Sequence, residues 1–162
     1  VLQIEPVYKT LKKIYKIKNK NTQVILLSPR GETLTQNKVK ELSKYKRLIF
    51  IAGHYEAIDA RIDNFIDQKI SLGNFVMTGG ELAAAAVIDS VARLVPGVIG
   101  KAESLEDESF SEYNQKTKEF NIEYPQYTRP EVFKGLKVPE VLLSGNHQKI
   151  KEWREEKSAS RQ

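Results

Sequence analysis

The residues most suited to chemistry are glycines. Gly79 and Gly80 end an apolar, strand-like run, Ser71-Leu-Gly-Asn-Phe-Val-Met-Thr, and lead straight into an alanine-rich segment, residues 82–93, with the composition of a helix. A glycine pair before a helix leaves main-chain N–H groups open to a ligand, because no Cβ stands in the way and the first amides of a helix have no intrahelical partner. The reading this supports is a small-molecule site built from backbone, with a tight strand-to-helix connection of an ordinary α/β domain as the plainer alternative. Neither a Walker phosphate loop nor a Gly-x-Gly-x-x-Gly fingerprint is present, and no lysine follows Gly80 to grip a phosphate, so a nucleoside fits better than a triphosphate.

Positioning such a turn requires a sheet. Residues 23–27 and 47–52 are short β-branched and aliphatic runs of the kind found in strands buried on both faces. Residues 6–18 place Val7, Leu11, Ile14 and Tyr15 at helical intervals, Thr35 is a candidate N-cap for a helix over 36–43, and residues 60–66 have room for a short helix. The alternation predicts an α/β fold, a mostly parallel sheet with helices on both faces. Ligands of such sheets bind beyond the carboxyl ends of the strands, where three segments would meet: Ser28-Pro29-Arg30-Gly31, Gly53-His54-Tyr55-Glu56, and residues 72–80. Further on, residues 136–143 read as a strand, 144–147 as a turn, and 147–157 as a helix with Ile150 and Trp153 on one face.

Composition narrows the class. The 162 residues contain no cysteine and two histidines, which argues against disulfides and a zinc site and suits a reducing, cytoplasmic setting. No apolar run reaches the ~18–20 residues of a membrane span. Lys and Arg outnumber Asp and Glu by 26 to 21, with basic residues crowded into 9–20, 38–47 and 149–161, a balance compatible with a polyanionic partner.

Several motifs then fall in one order: Leu27-Ser28-Pro29-x-Gly31, Gly53-x-Tyr55-Glu56-x-Ile58-Asp59-x-Arg61, Ser71-x-Gly73, Gly79-Gly80-Glu81-Leu82, Ile88-Asp89-Ser90-Val91-x-Arg93, Pro96-Gly97-Val98, Tyr127-Thr128-Arg129-Pro130-Glu131 and Leu143-Ser144-Gly145-Asn146-His147. Together they closely resemble the bacterial tRNA (guanine-N1)-methyltransferases of the TrmD type, in the SPOUT superfamily. The resemblance implies transfer of a methyl group from S-adenosylmethionine to N1 of the guanosine 3′ of the tRNA anticodon, by a homodimer whose sheet domain carries a deep trefoil knot in its C-terminal part. It implies cofactor contacts from Leu26, Leu27, Ser28 and Pro29, from Gly53, Tyr55 and Glu56, and from Leu72, Gly73, Asn74, Phe75, Val76 and Met77 with Gly79 and Gly80.

N1 of guanine is a poor nucleophile until its proton leaves, so the reaction needs a base near N1 and a cation near O6. By resemblance Arg93 is the cation and Glu56 lies near the exocyclic amine. The family has an aspartate before Ser-Phe, where this chain has Glu108; Glu108 keeps the spacing and takes the base role, with Asp107 as alternative. An acidic loop with no role beyond solvation is the competing view of that stretch. Other departures are His54, Ala57 and Ala83, where the family usually has Arg, Gly and Pro, and a longer loop between Phe110 and Tyr127. Its Tyr113, Phe120 and Tyr124, set among Lys116 and Lys118, would serve as packing pegs or as RNA-stacking groups.

The expected organisation is a methyltransferase domain over 1–157 that lacks the family's first strand and glycine-rich loop, with 158–162 beginning a linker to an absent tRNA-binding domain. Such a core is expected to retain cofactor binding and to transfer methyl groups poorly. A noncatalytic RNA-binding protein, and a SPOUT enzyme acting on another RNA, are the rival readings.

Overall fold

The computed structural model describes residues 1–54, 56–98, 109–110, 113–114 and 119–161. The chain separates into two compact units, Val1–Gly100 and Lys101–Gln162.

The first unit is a three-stranded parallel sheet. Its elements are α1 (Ile4–Ile14), β1 (Thr22–Thr33), α2 (Gln36–Leu42), β2 (Arg47–Ala52), a 3-10 helix (Ala60–Phe65), β3 (Gln68–Ser71) and α3 (Glu81–Ala92). The strand order is β2-β1-β3, with both neighbours parallel to β1. Period-two alternation divides the core between the faces. Ile25, Leu27 and Ile70 pack with Val39 and Leu42 of α2 and with Ala83, Val87 and Val91 of α3. On the other face Val24 and Ile49 pack with Leu11 of α1. The sheet is therefore covered on both sides, as the near-continuous apolar runs predicted.

Local chemistry explains the ends of these elements. The Thr35 hydroxyl accepts from the Lys38 amide at 3.2 Å and caps α2, as expected from its residue type. The Asp67 carboxylate accepts from the Val24 amide at 2.9 Å and pairs with Lys18 at 2.6 Å, tying the starts of β1 and β3 together. The helix expected over 6–18 ends earlier, at Tyr15 with φ −139° and ψ 84°, and the Tyr15 hydroxyl then accepts from the Asn19 amide at 2.8 Å.

Two strand expectations are corrected. The apolar run from Ser71 is strand only at its first residue. Ser71 Oγ donates to the Gly73 carbonyl at 3.1 Å and accepts from the Gly73 amide at 3.2 Å, and Gly73 takes φ +152°, so the chain turns out of the sheet. Residues 72–78 are irregular, and Val76 is 91% exposed: its apolar character marks a surface, not a sheet core.

In the second unit β4 (Tyr113–Asn114), β5 (Glu119–Ile122) and β8 (Ala159–Arg161) form an antiparallel sheet in the order β4-β5-β8. The strand expected over 136–143 is a hairpin of β6 (Val132–Phe133) and β7 (Leu136–Lys137) followed by α4 (Glu140–Leu143). Lys134 and Gly135 both have positive φ, 50° and 84°, as a two-residue hairpin turn requires. Pro139, with no amide to give a ladder, opens the helical turn instead. In α5 (His147–Lys157), Asn146 caps the Lys149 amide at 3.1 Å. Trp153 lies against Tyr124 and Tyr127, with ring centroids 6.4 and 6.1 Å apart, and Phe110 meets Phe120 at 6.0 Å. Phe120 and Tyr124 thus act as packing pegs in this unit. Among the described residues no helix is long and apolar enough to cross a membrane.

Candidate functional site

A cleft of about 680 Å³ opens at the carboxyl ends of the three parallel strands. Its size lies within the ~300–1,000 Å³ usual for small-molecule sites.

The first wall comes from an interruption in β1. Ile70 is the register partner of both Leu27 and Glu32, so residues 28–31 leave the ladder and return to the same neighbour. Ser28 Oγ accepts from the Arg30 amide at 3.2 Å inside this excursion. Gly31 is where it re-enters. A Cβ there would lie 2.5 Å from Ile70 N and 2.6 Å from Lys69 C, against main chain that cannot swing aside.

The second and third walls come from residues 53–54 with 56–58, and from residues 72–80. They touch each other: the Gly80 amide donates to the Gly53 carbonyl at 2.8 Å, and His54 and Gly79 form an antiparallel bridge. A Cβ on Gly80 would sit 3.0 Å from Ala52 Cα, and one on Gly79 would run into the Glu81 carboxylate and the His54 ring. The glycine pair therefore admits a second chain segment as well as facing the cleft, a use its sequence context did not indicate. His54 Nδ1 lies 3.5 Å from Glu81 Oε1 at this crossing.

The cleft collects most of the residues singled out for a cofactor. Leu26, Leu27, Ser28, Pro29, Gly53, Glu56, Leu72, Gly73, Phe75, Val76, Met77, Gly79 and Gly80 all line it. Asn74 does not, and Tyr55 lies outside the described residues, as do Asp107 and Glu108. Arg93 caps the C-terminus of α3, its amide donating to the Asp89 carbonyl at 3.2 Å, and is not among the lining residues. Ile58, Ile62, Asp63 and Lys69 line the cleft without having been anticipated. Only tertiary structure brings the 3-10 helix and β3 to one wall, so spacing gave no signal for them.

Below that wall Asp59 accepts from the Arg61 side chain, Nε at 2.9 Å and a terminal nitrogen at 2.6 Å, and from the Arg61 amide at 2.9 Å. These bonds lower the Asp59 carboxyl from 3.8 to about 2. The fork holds the entry to the 3-10 helix and so positions Ile58 and Ala60 on the cleft wall.

The donor set suits a nucleoside with a charged tail. Apolar side chains from Leu27, Ile58, Leu72 and Met77 offer a slot for a base, exposed main chain surrounds it, and the ionisable groups Arg30, Glu56, Asp63 and Lys69 also reach the cleft. Among the described residues no group of three or more His, Cys, Asp and Glu could hold a metal ion.

Comparison with known proteins agrees with this geometry. The chain is 52% identical over 158 residues to a protein of Clostridium botulinum (strain Hall) named tRNA (guanine-N(1)-)-methyltransferase, covering 98% of this chain and 62% of that one. Proteins of the same name from Clostridium perfringens (strain SM101) and Clostridium beijerinckii are 52% and 53% identical, again over 98% of this chain and 63% and 62% of theirs. The chain thus spans less than two thirds of the length of these relatives. A family model described as tRNA (Guanine-1)-methyltransferase TrmD matches residues 1–162, from the first residue to the last, and on that match the chain belongs to the TrmD family.

Proposed function

We propose that the chain carries the methyl-transfer domain of a tRNA (guanine-N1)-methyltransferase, taking S-adenosylmethionine as donor and the guanosine 3′ of the anticodon as acceptor, in the cytoplasm. The observation that carries the reading is that residues from three family motif segments, 28–30, 53–54 with 56–58, and 72–80, converge on one cleft with a donor set suited to an adenosine. Leu27, Leu72 and Met77 would enclose the base of the cofactor, with main chain of residues 72–80 around it. When bound, the cofactor supplies an electrophilic methyl group on a sulfonium.

The remaining work falls to side chains. Glu108, or Asp107 beside it, removes the N1 proton of guanine; Arg93 stabilises charge growing on O6; Glu56 accepts from the exocyclic amine. A homodimer supports these roles. The twelve residues of α3 rise about 18 Å from Gly80 to Arg93, so an arginine at its far end is better placed for the cleft of a second copy than for its own. Leu82 and Ile88, 72% and 52% exposed, form with Ala85 an apolar stripe on that same helix for the second copy to cover. A trefoil knot in the C-terminal part, and a single methyltransferase domain over 1–157, complete the proposal.

The test combines binding and transfer. Calorimetry of the chain with S-adenosylhomocysteine should give saturable heat, and radiolabelled methyl should pass to tRNA transcripts only when the target guanosine is intact, from the chain alone or extended to the length of its relatives. Glu108→Gln should abolish transfer and leave ligand binding in place. No saturable heat at high micromolar ligand would sink the cofactor reading, and RNA binding without transfer by the extended protein would favour a noncatalytic role.

A further inference from the structure

Among the described residues, five ionisable side chains line the cleft: Arg30, His54, Glu56, Asp63 and Lys69. Two of them form a pair of their own. Lys69 Nζ lies 2.6 Å from Asp63 Oδ2, with the lysine side chain 26% exposed and the aspartate 44%. His54 stands at the Glu81 crossing, while Arg30 and Glu56 make no ion pair among the described residues.

The fold puts this pair in one place by alternation. Lys69 precedes Ile70, whose side chain belongs to the core shared with α2 and α3, so Lys69 projects from the opposite face of β3. There the 3-10 helix presents Asp63, beside Ile58 and Ile62 on the same wall. A lysine and an aspartate at contact distance, half-shielded next to apolar groups, present adjacent opposite charges to the cavity. The ammonium has three donors and uses one on Asp63, and Oδ1 of the carboxylate is left to accept another bond.

We propose that Lys69 and Asp63 form the receptor for the amino-acid end of the methyl donor, the α-carboxylate meeting Lys69 and the α-ammonium meeting Asp63. This rests on the S-adenosylmethionine reading above. An α-amino acid carries its two charges on one carbon, and laid head to tail against the ion pair it brings each charge beside its opposite. A net-neutral pair also discriminates. A nucleotide phosphate gains from the lysine and loses against the aspartate, whereas a zwitterion gains from both. The pair would thus set the choice of an adenosine bearing an amino acid over one bearing phosphate.

Calorimetry of the chain with two ligands tests this: S-adenosylhomocysteine, and 5′-methylthioadenosine, which keeps the nucleoside and thioether but has no amino-acid end. For Lys69→Met and for Asp63→Asn, affinity for S-adenosylhomocysteine should fall about tenfold while affinity for 5′-methylthioadenosine stays within about twofold. Retained binding of the shorter ligand doubles as proof of folding, and Lys69→Arg should restore most of the loss. An unchanged ratio of the two affinities in both variants would overturn the proposal. So would a tenfold drop confined to Arg30→Gln, which would give the carboxylate to that cation. Wild-type chain that binds neither ligand would instead refute the cofactor reading on which the proposal stands.

Discussion

Replacing Gly31 by alanine adds one methyl group at the most crowded point of the cleft floor. The new Cβ would lie 2.5 Å from Ile70 N and 2.6 Å from Ile70 C and Lys69 C. Contacts below 3.0 Å require movement, and the obstacle is the main chain of β3, so either β1 or β3 must shift. Overpacking of this kind costs roughly 1–3 kcal/mol. A shift also loosens the return pairing of Glu32 with Ile70, at about 1 kcal/mol for each ladder bond lost. The expected total is about 2–4 kcal/mol, a large share of a typical stability of about 5–15 kcal/mol. Gly53→Ala provides the contrast, because among the described residues its Cβ would meet only the Ile58 side chain, at 3.3 Å, which can yield at a cost below about 1 kcal/mol. Urea denaturation followed by far-ultraviolet circular dichroism measures both. Gly31→Ala should lower the midpoint clearly and Gly53→Ala only slightly. A Gly31→Ala protein within about 0.5 kcal/mol of wild type would show that the excursion re-enters the sheet without close main-chain contact, and the argument for a pinned floor would fail.

Two other perturbations probe the supports of the cleft. Asp67→Ala leaves the Val24 amide without its acceptor and should destabilise by about 1–3 kcal/mol in urea melts. Asp67→Asn keeps an acceptor oxygen and should cost below about 1 kcal/mol, because the Lys18 partner is 77% exposed and its pair is screened. Asp59 predicts a pH effect. Its folded value of about 2 lies below the ordinary 3.8, so its contribution is present above about pH 4 and disappears as pH falls toward 2. The stability gap between wild type and Asp59→Asn should therefore close over that window, and a gap constant from pH 5 to pH 2 would refute the assignment.

What the sequence made legible was whatever depended on neighbours in the chain. Residues 47–52 form β2 at the bounds their apolar run indicated, and Thr35 caps α2 through its own hydroxyl. Misreadings arose where one property stood in for another. Phe75 and Val76 are apolar yet exposed, so composition suggested a strand where Ser71 and Gly73 turn the chain away. Pro29 and Gly31 look like the end of β1, and the return to Ile70 beyond them is fixed only by a partner strand about forty residues away. The same holds for the site. The glycine pair and the three converging segments follow from the rule for parallel sheets, whereas the Lys69–Asp63 wall depends on which way a strand and a 3-10 helix face each other.

The excursion at residues 28–31 has a mechanical meaning. Both of its ends are zipped to β3, and the ladder continues through the Leu34 amide, which donates to the Ser71 carbonyl at 2.8 Å. Opening the floor therefore means unzipping the central strand, so it belongs to the same cooperative unfolding unit as the core. The ladder amides that flank it should exchange with solvent deuterium at rates close to those of global opening, and a ligand seated on it should slow exchange throughout the sheet. Because the strand register is held on both sides, residues 28–30 can change in kind without displacing the sheet that carries them.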